Sequence, residues 1–299
     1  MIPATQLDEL PIRVGLGQFQ LTSDSLLAYI KQCGVDDIQM NTAQLPGDSR
    51  WEFEDLAALR ERVNAAGLRL MSLENVPVTF YDKIMLGLPG RDEQLDHMVA
   101  TVTNMGRAGI PILGYHFMPT GVWRTSKTQP VRGGALATRY DHQLATSTDD
   151  DRFQHKNSTA HPDRDYPGRG DGGKNYCWYL KENPAGVRGG PGVRLALHPD
   201  DPPGRRGPLG RVPRLFHGFD CFRKALETFD SPMHGLNFCH GCWSEMKAGE
   251  GVLWARSDTS AAGTGSSTSI SVTCREGSTI SQSASWATGT ATRLRPFAR

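Results

Sequence analysis

An excess of charge of either sign is missing from this sequence, whose 299 residues carry 33 Lys and Arg against 32 Asp and Glu. A balance this close to zero gives no electrostatic reason to expect nucleic acid or an anionic membrane as a partner. Long apolar runs are missing too, since none approaches the roughly 20 residues that cross a bilayer. The first residues, Met1-Ile-Pro-Ala-Thr-Gln6, lack a basic-then-apolar leader. Cysteine is sparse: Cys33, Cys177, Cys221, Cys239, Cys242 and Cys274 are scattered along a chain too long to need disulfide staples. These absences predict a reduced, soluble, cytoplasmic protein. Hydrophobic residues make up only 38%, beside 33 glycines and 19 prolines, and the deficit is local rather than general.

What is present follows one rhythm. Short apolar runs at 12–16, 37–40, 68–73 and 110–116 read as strands, and helical spacing appears between them at 26–33, 53–66 and 95–108. Val193–His198 and Leu236–Cys239 add a fifth and a sixth strand, with 217–229 and 244–254 as the helices after them. Such alternation implies parallel βα units. No glycine-rich phosphate loop follows the first strand, so the pattern favours a TIM (β/α)8-type barrel, with six of eight units readable, over a doubly wound sheet. The barrel-like region spans 1–254, with an irregular insert at 148–173. From Arg256 onward, 18 of 44 residues are Ser or Thr, and this tail, 255–299, is expected to lack order. Reading-frame slips near 253–255 and around 148–173 would account for both off-pattern stretches.

Two strands end in ligand chemistry. Arg194-Leu-Ala-Leu-His-Pro-Asp-Asp-Pro-Pro203 delivers His198, with Asp200 and Asp201 beside it. Gly235-Leu-Asn-Phe-Cys-His-Gly-Cys-Trp-Ser-Glu-Met246 delivers Cys239. Imidazole and thiolate at barrel strand ends suit Mn, Fe, Co or Zn; the bland alternative is a His capping a proline-rich turn. Cys239-His-Gly-Cys242 is a lone C-x-x-C, so a structural zinc site is not expected, and Cys239 reads as a single ligand with Cys242 packed inside. Arg124, just after the fourth strand, has the fork to hold a substrate carboxylate. Lys83 and Arg91 are weaker candidates of that kind, and Glu74, Asn75 and His116 end strands where they face the pocket or merely cap.

Five segments resemble mannonate dehydratase, a family with a xylose-isomerase-like barrel: Lys83-Ile-Met-Leu-Gly-Leu-Pro-Gly-Arg-Asp92, Gly109-Ile-Pro-Ile-Leu-Gly-Tyr-His-Phe-Met-Pro119, Gly121-Val-Trp-Arg-Thr-Ser126, and the two stretches around His198 and Cys239. The resemblance implies loss of water from D-mannonate, giving 2-dehydro-3-deoxy-D-gluconate in hexuronate (glucuronate) catabolism. It implies Mn2+ or Fe2+ as Lewis acid, held by His198 and Cys239. Arg124, His116, Asp200 and Lys83 become expected substrate contacts, and a homo-oligomer is the expected assembly. The family's other two ligands and its acid–base His and Tyr belong to later strands that have no counterpart here after Trp254, so the chain as written is expected to be inactive. The alternatives are a xylose-isomerase-like sugar isomerase or epimerase, and a non-catalytic remnant of the barrel.

Overall fold

A computed structural model describes residues 14–141, 144, 171–182, 192–203, 213–229, 231, 233–246, 266–270 and 280–282. Its main sheet is parallel. The strands are β1 (Gly15–Phe19), β2 (Asp37–Asn41), β3 (Arg69–Glu74), β4 (Ile112–Tyr115), β7 (Arg194–Leu197), β8 (His234–Cys239) and β9 (Ser266–Ile270), paired in that order. Helices α1 (Asp24–Gln32), α2 (Phe53–Ala65), α3 (Asp82–Leu86), α4 (Arg91–Arg107), α5 (Gly172–Glu182), α6 (Phe219–Thr228) and α7 (His240–Glu245) alternate with it. Strands β5 (Ser126–Pro130), β6 (Leu136–Asp141) and β10 (Ile280–Gln282) form a small antiparallel sheet.

The core explains why these residues take these elements. Ile38, Leu73, Leu113, Leu195 and Leu197 are buried along the strands, and Leu56, Val63, Met98 and Val102 are buried on the facing sides of α2 and α4. Strands covered by helices read as apolar runs, and the helices as stripes of period 3.6. The Ser23 side chain accepts the Leu26 N–H and starts α1. Gly67, at φ +72°, follows the end of α2, where a Cβ would be strained.

The sheet is strongly curved. Asn237 Nδ2 on β8 donates to Glu74 Oε1 on β3 at 3.2 Å, although β4 and β7 lie between them in the pairing order. On a flat sheet three inter-strand steps span about 14 Å, beyond the reach of these side chains. Gln18 on β1 also reaches Glu74, at 2.7 Å. Side chains from β1, β2, β3 and β8 therefore meet over a concave face, as they do inside a barrel. Gly114 on β4 keeps that space open, because a Cβ there would lie 3.1 Å from Glu74 Cγ and 3.2 Å from Asn237 Nδ2.

Several expectations need correction. The first strand, expected at 12–16, runs instead over Gly15–Phe19, and Gly17 within it marks a close approach, since a Cβ would sit 2.8 Å from the Gln39 carbonyl oxygen. The helix after the sixth strand begins at His240, not Ser244, because β8 turns directly into it. Helices α3 and α5 and the β5–β6 hairpin were not anticipated. Two short strands, β9 and β10, fall in the tail. The rest of that tail, residues 145–170 and the reading-frame slips expected there lie outside the described residues. None of the described helices is long and apolar enough to cross a membrane, and the five described cysteines form no disulfide.

Candidate metal centre

Parallel pairing aligns the strand ends. Tyr115 on β4 is level with Leu197 on β7, and Leu197 with Leu236 on β8. The residues that follow therefore emerge on one edge of the sheet. His198 leaves β7 with its N–H bonded to the Tyr115 carbonyl at 2.8 Å. Its ring Nδ1 lies 2.7 Å from the Pro199 carbonyl oxygen. A carbonyl oxygen only accepts, so Nδ1 carries a proton and Nε2 is left to face the site. Cys239 is the last residue of β8 and is buried, and Cys242 is buried one turn along in α7. One ligand atom from each of His198, Cys239 and Cys242 lies within 4.8 Å of the others.

Because α7 starts at His240, the C-x-x-C spacing places Cys242 over Cys239, as residues three apart on a helix are neighbours. The Cys242 thiol donates to Cys239, and with the His198 charge this outweighs burial and holds the Cys239 thiol well below its usual range. The same bond, reinforced by burial, pushes Cys242 up. Burial works against the charged form of His198, yet the Cys239 thiolate and Glu74 carry its imidazole up to about 10. The His198 ring and the Cys239 sulfur thus favour one another's charged forms, with the Cys242 thiol beside them. A mixed nitrogen–sulfur donor set within this reach fits a divalent cation such as Zn, Fe or Co.

Glu74 adds negative charge behind the cluster. It is buried, and its carboxyl accepts from the side-chain amides of Gln18 (2.7 Å), Gln39 (2.5 Å) and Asn237 (3.2 Å). Burial raises its pKa, His198 opposes that rise, and Cys239 adds to it.

The remaining expected contacts occupy different situations. Arg124 grips Asp201 with both Nη atoms, at 2.7 and 2.6 Å, and its Nε reaches Thr138 Oγ1 at 3.2 Å. A second Nη1 bond goes to the Trp123 carbonyl at 2.8 Å. Its fork is thus engaged by the protein itself. Asp200 is buried, its pKa raised by that burial, and accepts the Phe216 N–H at 2.8 Å, which ties the turn to the segment before α6. His116 accepts the Met118 N–H at Nδ1, 3.1 Å away, and its own carbonyl accepts from the Tyr81 hydroxyl at 3.0 Å, so it orders its own loop. Lys83 lies on α3 with its amine beside Gly90, where a Cβ would be 3.1 Å from Nζ. The structure thus brings His198 and Cys239 together, sets Arg124 and Asp200 along the adjoining turn, and directs Lys83 toward α4. Cys242, within 4.8 Å of His198 and Cys239, was the neighbour overlooked; its signal was the C-x-x-C read beside a helix that starts immediately. Glu74 was visible only as a polar strand end.

A curved parallel sheet with nitrogen and sulfur donors at its strand ends defines an α/β chain of the xylose-isomerase-like barrel class. A solved mannonate dehydratase from Streptococcus suis serotype 2 superposes with a TM-score of 0.74 at 24% identity, covering 89% of this chain and 74% of that one. A xylose isomerase domain protein from Planctomyces limnophilus superposes at 0.51 with 12% identity, covering 92% and 81%. The chain belongs to the D-mannonate dehydratase (UxuA) family, whose model matches residues 18–172 and 173–253. Among curated relatives, the mannonate dehydratase of Thermotoga maritima is 29% identical over 236 residues, 72% of this chain. That of Streptococcus equi subsp. zooepidemicus is 28% identical over 225 residues, 71% of this chain. The chain spans 64% and 60% of the lengths of these two relatives.

Proposed function

We propose that this chain holds a divalent metal at His198 and Cys239 and through it takes up D-mannonate, whose dehydration to 2-dehydro-3-deoxy-D-gluconate it performs weakly. The observation that carries this reading is the meeting of His198 and Cys239 at adjacent strand ends in a chain of this family. A bound ion, Mn2+ or Fe2+ by family resemblance, would supply Lewis acidity toward the sugar-acid oxygens. The chain's own residues supply placement. The Pro199 carbonyl fixes the His198 ring, and the Arg124–Asp201 clamp fixes the turn that carries it. Arg124 is engaged by Asp201 on both Nη atoms, so its guanidinium would offer a substrate carboxylate little free charge.

Weak turnover follows from what the sequence holds after Trp254, a stretch with neither His nor Tyr. Elimination needs a base for the C2 proton and an acid for the departing hydroxyl, and a positioned acid–base group contributes typically 10²- to 10⁴-fold. Proton NMR of D-mannonate incubated with the chain and Mn2+ or Fe2+ tests the reading. The expected result is metal-dependent 2-keto-3-deoxy product at a rate at least about 100-fold below that of the Thermotoga maritima relative assayed alongside. An isomerised rather than dehydrated product, no product at all, or a rate equal to the relative's would overturn it.

A further inference from the structure

We propose that Cys221 is a reactive thiol, with His217 as its base and Asp200 as the acceptor that orients the imidazole, and that it exchanges with low-molecular-weight disulfides. The proposal is independent of the dehydratase reading and requires neither metal nor turnover. Cys221 Sγ lies 3.8 Å from His217 Nε2, and the residue is only half-buried, so a small reagent can reach it. Cys33 is more exposed, but its neighbour is the Tyr29 hydroxyl rather than an imidazole. Thiol reactivity follows the thiolate fraction as well as access, which makes Cys221 the favoured of the two. Its place in the first turn of α6 adds to this, because the positive end of a helix favours a thiolate. The Asp220 carboxylate in the same turn is paired with Arg223 at 3.4 Å.

The third member follows from two unpartnered atoms. A thiol donates to Nε2 only when the imidazole proton sits on Nδ1, and that proton then needs an acceptor. His217 Nδ1 is buried with no hydrogen-bond partner among the described residues, and Asp200 Oδ1 is in the same condition. The backbone brings the two side chains into one place. The Asp200 N–H donates to the Phe216 carbonyl at 3.1 Å, and Asp200 Oδ2 accepts the Phe216 N–H at 2.8 Å, so the carboxyl is pinned beside the residue that precedes His217. Carboxyl and imidazole interact electrostatically there. Asp200 is 1% exposed, and a buried oxygen without a donor is costly; an Nδ1 proton is its complement. Asp200, His217 and Cys221 thus stand in the order acceptor, imidazole, nucleophile by which a base is oriented and a thiol activated. In the exchange, His217 Nε2 takes the Sγ proton and the thiolate attacks one sulfur of the disulfide. A new S–S bond forms as the old one breaks, and the departing thiolate takes the proton from His217. The disulfide is itself the oxidant.

The test incubates the full chain, reduced and then freed of reductant, with oxidised glutathione at neutral pH. Peptide mass spectrometry follows the mixed disulfide on Cys221, with Cys33 as the internal reference. The expected result is that Cys221 reacts at least about 10-fold faster than Cys33. His217→Gln should remove most of that advantage and leave the Cys33 rate unchanged. Circular dichroism checks that the variant is folded. If it is not, wild type in water is compared with wild type in urea, where unfolding parts Asp200 from His217 and the advantage of Cys221 should vanish. An unmodified Cys221, an advantage over Cys33 smaller than that stated, an unchanged Cys221 rate in folded His217→Gln, or an advantage that survives urea would overturn the proposal.

Discussion

Two residues, Pro199 and Asp200, separate His198 from Asp201, and the two ends of that turn are chemically opposite. At Asp201 the charges are matched: a bidentate guanidinium meets the carboxylate at 2.7 and 2.6 Å, with both side chains mostly buried. At His198 they are not, because two thiols and the Glu74 carboxyl converge on one imidazole. A matched buried pair is complete and gives structure. A surplus of sulfur and carboxylate donors is incomplete, and its physical complement is a cation. The contrast also runs along β8. His234, at its start, is buried among Tyr115 and Tyr176 with its pKa depressed to about 4 by burial, whereas His198 beside its end is pushed up to about 10. Neutral aromatic surroundings keep an imidazole uncharged, and anionic ones charge it.

The largest effect is expected at the matched end. Arg124→Ala leaves the Asp201 carboxylate buried without its partner, and stability should fall by about 4 kcal/mol in urea denaturation. Adding Asp201→Asn to that variant should restore part of the loss; no recovery would mean that the guanidinium acts through packing rather than charge. The next effect belongs to His234. Its folded pKa of about 4 lies below the ordinary 6.5, so the unfolded chain binds more protons between those values. Stability therefore falls as pH drops through that window, by about 3 kcal/mol. His234→Gln should flatten this part of the pH–stability curve, and an unaltered curve would show that His234 already carries a proton in the fold.

Smaller effects sharpen the other side. Glu74→Gln presents an amide to three amide donors, and about 2 kcal/mol of stability should be lost; a stabilised variant would mean that the carboxyl is strained rather than satisfied. The exposed Arg62–Asp24 pair, at 2.8 Å with Asp24 almost fully exposed, sets the floor. Arg62→Ala should cost about 0.5 kcal/mol or less, and less still in high salt.

Much of the fold was legible because burial on both faces leaves a strong imprint. Runs such as Leu195-Ala-Leu197 and stripes such as Leu56, Leu59 and Val63 locate strands and helices to within a few residues. The hairpin of β5 and β6 was hidden because its strands, Ser126–Pro130 and Leu136–Asp141, are short, largely polar and partly exposed, so no apolar alternation marks them. The first strand was placed too early, because Gly17 inside it permits close strand approach and carries no apolar signal. Of the site, His198 and Cys239 stood out because each ends an apolar run. Cys242 did not, because its place beside Cys239 depends on where α7 begins, and helix starts are the least readable feature of a sequence. Glu74 was obscured for another reason: its importance comes from curvature that brings β8 across to β3, a long-range property with no local signature.

Equilibrium dialysis of the metal-stripped, reduced chain against Mn2+ or Fe2+, followed by elemental analysis, tests the central claim that His198 and Cys239 hold a cation. Wild type should retain one ion per chain, and Cys239→Ser and His198→Ala should retain none at the same free metal concentration. Retention of a full equivalent by Cys239→Ser, or none by wild type, would contradict it.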